Sequence, residues 1–337
     1  MAASLPGPVY RQPSPSIDNE GRQIGCTPLI LAYRTERPIV THFQSELTLF
    51  GVFSVQGDPQ SDDTREPLID GRHATPAAIR PIQVLVLMAK HWRPGLVKTR
   101  LAATIGHERA AELHRCFTTR LCHRLAGCGD RRIVAFAPDD CHDAFREQID
   151  PAWELLPQGS GDLGERMWRI CRAVLAGDSP TWPTPPGRSR VDLLLIGADL
   201  PTLDPTTIEQ AFSSLERHDL VLGPAEDGGY YLLGMRQPGL RQKTESPSKL
   251  ACERLFEGIP WGTRKVFEAT LRVAEELGLH TARLPRREDI DEWPDLRRLA
   301  LALEAATTTA DIELREGLLD VLGCRRIAEF RSEGLDH

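Results

Sequence analysis

The sequence predicts an α/β protein built on an open, mostly parallel sheet with helices on both faces. Three observations point there. The runs at 82–89 (IQVLVLMA) and 191–196 (VDLLLI) are apolar but for Gln83 and Asp192, as strands buried on both faces are. Segments of roughly 12 to 20 residues with apolar positions at helical spacing stand between such runs. The strands lead into loops bearing charges and glycines, so ligand chemistry is expected at their carboxyl ends.

Residues 1–80 are rich in Pro, Gly, Ser, Thr and Asp, broken by more apolar patches at 28–33 and 43–55. They read as a partly ordered extension, with exposed linker from Ser61. The first core strand is 82–89. A helix follows over 106–125, with Ala110, Leu113, Phe117 and Leu121 on its inner face. Strands are expected at 132–137 and, briefly, 154–156. The next helix, 163–176, turns Leu163, Met167, Ile170 and Val174 inward. Four prolines between 177 and 190 exclude regular structure. After the strand 191–196, Asp204 caps a helix that has Pro205 at its first position and Ile208, Phe212 and Leu215 on one face. A strand at 219–222 and a hairpin-like successor at 230–235 precede a polar loop, 236–249. A helix over 265–277 presents Val266, Ala269, Val273 and Leu277. A short strand at 280–284 and helices at 295–306 and 311–330 complete the chain. The expected division is an extension (1–80), a catalytic-type α/β domain (81–307) and a C-terminal helical extension (308–337).

With 337 residues, 41% of them hydrophobic, the chain can bury a sizeable core. A net charge of −7 and a pI of about 5.8 give no preference for nucleic acid or an anionic membrane, and neither is expected as a partner. No stretch reaches the ~18 apolar residues of a membrane span, and the N-terminus has no long apolar run, so a cytoplasmic location is expected. The eight cysteines form no CxxC pair and read as buried free thiols. A homodimer is the default expectation.

Four segments carry candidate chemistry. KHWRPGLVKTR, straight after the first strand, holds Lys90, Arg93, Lys98 and Arg100, a cationic loop suited to phosphate oxygens or, equally, to surface carboxylates. Thr99 and its neighbours add donors if a helix begins there. Asp199 stands just beyond 191–196, after Gly197, where a carboxylate can hold Mg²⁺ or Mn²⁺ or simply cap a turn. Asp227, Gly228 and Gly229 form a turn leading into Tyr230 and Tyr231; Asp227 can orient an acceptor hydroxyl, though Asp-Gly is also an ordinary hairpin signal. Asp289 and Asp291 lie two apart and point the same way in an extended loop, so one of them can complete a metal site with Asp199; otherwise Asp291 caps a turn before Pro294. Gly161 and Gly164, in QGSGDLGER, suit a loop over a base or sugar, or a linker capped by Asp162 or Ser160. There is no Walker A motif, HExxH, or GxGxxG after a strand.

Taken in order, the strings KHWRPGLVKTRL, QGSGDLGERM, IGADLPTL, VLGPAEDGGYYLLG, and IPWGTRKV with DIDEWPDLRRL resemble the DUF2064 family of candidate glycosyltransferases, over about residues 82–300. That family lies in the nucleotide-diphospho-sugar transferase superfamily of GT-A type (Rossmann-like) fold. The chain is also similar to 2-phospholactate guanylyltransferase and to molybdenum-cofactor nucleotidyltransferases. The resemblance implies that Lys98 and Arg100 face nucleotide phosphates, with Lys90, Gly161, Gly164 and Asp199 also at the nucleotide. It implies that Asp199 holds a divalent metal with Asp289 or Asp291, and that Asp227, Gly228, Gly229 and Tyr230 lie near the second substrate. Asp227, Asp199 and Lys98 would carry catalysis. The full DxD signature is missing, because position 197 is Gly, and Glu292 stands where the family usually has Thr. The implied function is metal-dependent transfer from a nucleoside diphosphate sugar to a small-molecule acceptor. The alternatives are a nucleotidyltransferase joining an NTP to a phosphorylated small molecule, and a non-catalytic nucleotide-binding or scaffold protein. All catalytic versions require Lys98, Asp199 and the 289/291 pair to share one cleft.

Overall fold

The computed structural model describes residues 80–175, 190–237, 249–325 and 327. The chain divides into two units, 1–71 and 72–337. The first unit, the proline-bearing segment 177–189 and most of the polar segment 236–249 lie outside the described residues, and so do the expectations placed on them.

Seven strands form one sheet in the order β3-β2-β1-β4-β6-β5-β7. They are β1 (Ile82–Lys90), β2 (Arg131–Ala137), β3 (Glu154–Pro157), β4 (Val191–Gly197), β5 (Leu220–Pro224), β6 (Tyr230–Arg236) and β7 (Thr281–Arg283). β1 pairs in parallel with both β2 and β4. β6 is antiparallel to both of its neighbours, wedged between β4 and β5. The fold is thus the α/β class that the apolar runs predict, with one reversed strand.

The period of two along the strands supplies both faces. Leu85 and Leu87 of β1 and Leu194 and Ile196 of β4 enter one core with Leu121, Phe145, Ile208 and Phe212. Val84, Val86, Leu193 and Leu195 enter the opposite core with Met167, Ile170, Phe256 and Leu271. Helix α1 (Thr99–Ile105) leads into α2 (His107–Arg124), which with α3 (His142–Gln148) and α5 (Pro205–Ser214) packs on the first core. Helices α4 (Leu163–Leu175), α6 (Lys249–Arg254) and α7 (Val266–Glu276) cover the second. A third core lies among α1, α2, α8 (Trp293–Glu304) and α9 (Thr309–Leu322), centred on Phe117, Leu296, Leu314 and Leu318. Cys122, Cys128 and Cys141 are buried in the first core and Cys171 and Cys252 in the second, while Cys116 is buried on α2; all are free thiols, as expected. No helix among the described residues is long and apolar enough to cross a membrane.

Several details depart from the sequence expectation. Leu163 is 46% exposed; the inner face of α4 instead starts at Gly164, whose missing side chain lets Trp261 and the Phe256 carbonyl close in. The inner face of α7 is Val266, Phe267, Thr270, Leu271 and Ala274. It is rotated by about one residue from the predicted stripe, because the bulkier Phe267 and Leu271 take the core. The start of α8 is capped by Glu292, not Asp291: the Glu292 carboxylate accepts from the backbone at Asp295, and the Asp295 carboxylate accepts from the Glu292 N–H at 2.7 Å. Asp204 does cap α5, accepting from the Thr207 N–H at 2.9 Å. Asp162 exchanges such bonds with Glu165 at the head of α4.

Candidate active site

From β1 the sheet grows in two directions, to β2 on one side and to β4 on the other. That reversal opens a crevice at the carboxyl ends of β1 and β4. The loop after β1 and the loop after β4 both enter it. The late acidic segment reaches it by hydrogen bonding along the end of the sheet. The Leu284 N–H donates to Leu222 O at 2.9 Å, Arg287 N–H to Pro224 O at 3.0 Å, and Ile290 N–H to Asp199 O at 3.0 Å. Asp289 and Asp291 therefore flank a residue tied to Asp199.

Lys98 joins these segments. It sits at the mouth of α1 with φ 46° and ψ 42°, the one described non-glycine residue at positive φ. Such left-handed backbone costs about 1–2 kcal/mol and is retained where the surroundings demand it. Its side chain is 2% exposed. Nζ donates to Asp199 Oδ1 at 2.5 Å, to Asp291 Oδ1 at 3.0 Å and to Ile290 O at 2.5 Å. Burial pulls the Lys98 pKa down, but Asp199 and Asp291 outweigh it and hold it above the usual value. Asp199 keeps 47% of its side-chain surface open to the cleft. Burial pushes its pKa up, and Lys98, the strongest opposing influence, holds it below the ordinary carboxylate value.

Asp227, Asp289 and Asp291 each bring one carboxylate oxygen within 4.8 Å of the others. The Asp227 Oδ1 also accepts from the Gly229 N–H at 2.7 Å, which shapes the turn. Gly228 has φ 91° and lies so close under the Arg264 carbonyl that any side chain would collide with it. Asp289 has its pKa pushed up to about 7, by burial first and then by Asp227 and Asp291. Three hard oxygen donors whose charges repel one another fit a Mg²⁺- or Mn²⁺-like cation. Asp199, expected as the leading metal ligand, is paired with Lys98, and Asp227 takes the third corner beside the two late acids.

A cavity of about 600 Å³ opens at the ends of β1 and β2, lined among others by Lys90, Arg93, Leu96, Gly159, Ser160 and Arg166. Lys90 belongs to both regions: it lines the cavity, and its carbonyl meets His114 Nε2 at 3.1 Å. Behind the cavity the buried Gln158 amide donates to Ala89 O at 3.1 Å and Ala135 O at 2.7 Å, fixing the glycine loop to the sheet.

The remaining candidates are dispersed. Arg100 is 67% exposed, 3.9 Å from Glu292. Gly161 is exposed at φ 111°, whereas Gly164 is buried in the α4 packing. The Tyr230 hydroxyl points to Met167 Sδ at 3.9 Å, and its ring meets Trp261 edge-on with centroids 6.4 Å apart. Arg166 and His114 did not stand out in the sequence. Arg166 has only its place after the glycine loop as a signal, and His114 is a single histidine within a helical pattern.

Residues 122–263 match the family model described as "Uncharacterized protein conserved in bacteria (DUF2064)", a narrower span than the resemblance read over 82–300. The crystal structure of a candidate nucleotide-diphospho-sugar transferase from Desulfovibrio desulfuricans G20 overlaps with a TM-score of 0.60 at 26% identity, covering 74% of this chain and 99% of that one. The α/β fold is the one seen there. Rv0371c from Mycobacterium tuberculosis H37Rv overlaps at 14% identity over 65% of this chain and 96% of its own, with a TM-score of 0.36. The 4-diphosphocytidyl-2C-methyl-D-erythritol synthase from Anaerococcus prevotii DSM 20548 does so at 11% identity over 64% and 94%, with a TM-score of 0.38. These two overlaps are too loose to bear on the site. No curated protein matches the chain.

Proposed function

We propose that this chain is a metal-dependent transferase acting on a nucleoside-diphosphate-bearing substrate, and specifically a glycosyltransferase that uses a nucleoside diphosphate sugar. One observation carries the reading: an acidic trio, Asp227, Asp289 and Asp291, joins the Lys98–Asp199 pair through Asp291, and a cavity bearing Lys90, Arg93 and Arg166 beside Asp139 opens at the same end of the sheet. A cavity of this size accommodates a nucleotide-sized ligand. Lys90, Arg93 and Arg166 supply positive charge to its phosphates. The exposed Leu96 on the rim offers an apolar surface to a base. Asp289, Asp291 and Asp227 would hold Mg²⁺ or Mn²⁺, and Asp199 completes the set when its pairing with Lys98 opens. The bound ion would neutralise charge gathering on the departing nucleoside diphosphate. Asp227 then serves the cation before any acceptor hydroxyl, and the Gly228–Gly229 turn holds it in place.

Three cationic side chains at one cavity also favour a second reading, nucleotidyl transfer from an NTP to a phosphorylated small molecule. The two part on their products. Purified protein with Mn²⁺ is offered a panel of sugar nucleotides and NTPs. Release of nucleoside diphosphate from a sugar nucleotide supports the first reading and pyrophosphate from an NTP the second. Nucleotide binding with neither product would leave a binding protein and overturn both.

A further inference from the structure

Lys98 has three N–H groups, and the protein uses all of them, on Asp199, Asp291 and the Ile290 carbonyl. At 2% exposure its ammonium has none to spare for a phosphate. Asp199 Oδ1 is therefore already facing a cation, one that belongs to the protein. Near that oxygen stands His114 of α2, 6% exposed. Its Nε2 faces Lys90 O, which can only accept, so Nε2 carries a proton and, in the neutral imidazole, Nδ1 keeps a lone pair. Nδ1 is buried without a hydrogen-bond partner, 3.9 Å from Asp199 Oδ1. A lone pair facing a carboxylate is unfavourable unless an N–H or a cation comes between them. The donor at hand is the Lys98 ammonium, which touches the same oxygen.

We propose that His114 is a positioning residue whose Nδ1 takes over the N–H that Lys98 gives to Asp199, freeing Asp199 for a divalent cation. Lys98 is then the resident counter-ion of Asp199, and His114 is where its donor goes when it yields. The inference rests on the metal-dependent reading of the site and adds a division of labour to it.

The test is Mn²⁺ binding to the full chain, followed by calorimetry and by loss of the free-ion EPR signal, without substrate. Lys98→Met removes the competing cation and should tighten Mn²⁺ by about tenfold or more. His114→Phe should weaken it by about tenfold when Lys98 is present, and have no effect alongside Lys98→Met. His114→Asn loses the Lys90 bond as Phe does but keeps an acceptor near Nδ1, so it should recover most of the affinity. Equal weakening by His114→Phe with and without Lys98, or Asn behaving as Phe, overturns the hand-over while leaving the metal site standing. Wild-type protein that binds no Mn²⁺ ends both. Should Lys98→Met fail to fold by thermal melting, the Phe and Asn comparison decides by itself.

Discussion

Asp289 lies furthest from its ordinary chemistry among the acids of the cleft. Its carboxyl is raised from 3.8 to about 7, by burial first and then by Asp227 and Asp291. Between those two values the folded chain holds a proton that the unfolded chain has already released. This group therefore lowers the stability of the metal-free protein as pH rises from about 4 to 7, with no contribution to the slope below or above. Asp289→Asn should remove that slope, read as the difference between wild-type and variant melting temperatures across pH 4–8 in chelator; parallel curves would contradict it. Asp199→Asn should cost about 10²-fold in turnover, of the order seen when a group stabilising transition-state charge is lost. Its melting temperature should barely move, because Lys98 keeps Asp291 and Ile290 O. Undiminished turnover would remove Asp199 from the reaction. Lys98, Asp199, Asp289 and Asp291 were legible as one cluster because each stands in a loop leading from a strand. That Lys98 is spent on carboxylates was not, since spacing says nothing of which partner a long side chain finally meets.

The strands, short ones included, and the long helices were legible, and the short helices were not. β1 and β4 declare themselves by their apolar runs, and α2 by four buried positions at helical spacing. Helices α1 and α3 have seven residues each, too few for a period to show; α3 was missed, and α1 entered only as a conditional start at Thr99. In α4 the first inward position is a glycine, which no hydrophobic count can find. Gly164 lies directly beneath the Trp261 ring and the Phe256 carbonyl. Gly164→Ala should therefore force α4 away from its neighbours and cost about 1–3 kcal/mol, despite the better helix propensity of alanine. Urea unfolding measures it, and a stabilised variant would show that the contact yields easily.

At the scale of the molecule, the C-terminal helix sits outside the family match yet inside the architecture of the cleft. The third core joins Leu314 and Leu318 of α9 to Leu101 of α1, Phe117 of α2 and Ile290, whose carbonyl receives Lys98. Ion pairs from Arg124 to Asp311 at 2.5 Å and from Arg120 to Glu313 at 3.2 Å fasten α9 to the helix that carries His114. Leu318→Ala, at a fully buried position, should cost about 2–5 kcal/mol in denaturant unfolding. A loss under 1 kcal/mol would mean that the end of the chain contributes little. The sealed sulfhydryls offer a way to watch these layers come apart. Three stand on one side of the sheet, two on the other, and Cys116 lies beside Gly317 of α9, so alkylating reagent has to wait for each compartment to open. Peptide-resolved labelling over time would then time-stamp the breathing of each compartment, with the order of modification reporting which part of the molecule lets go first.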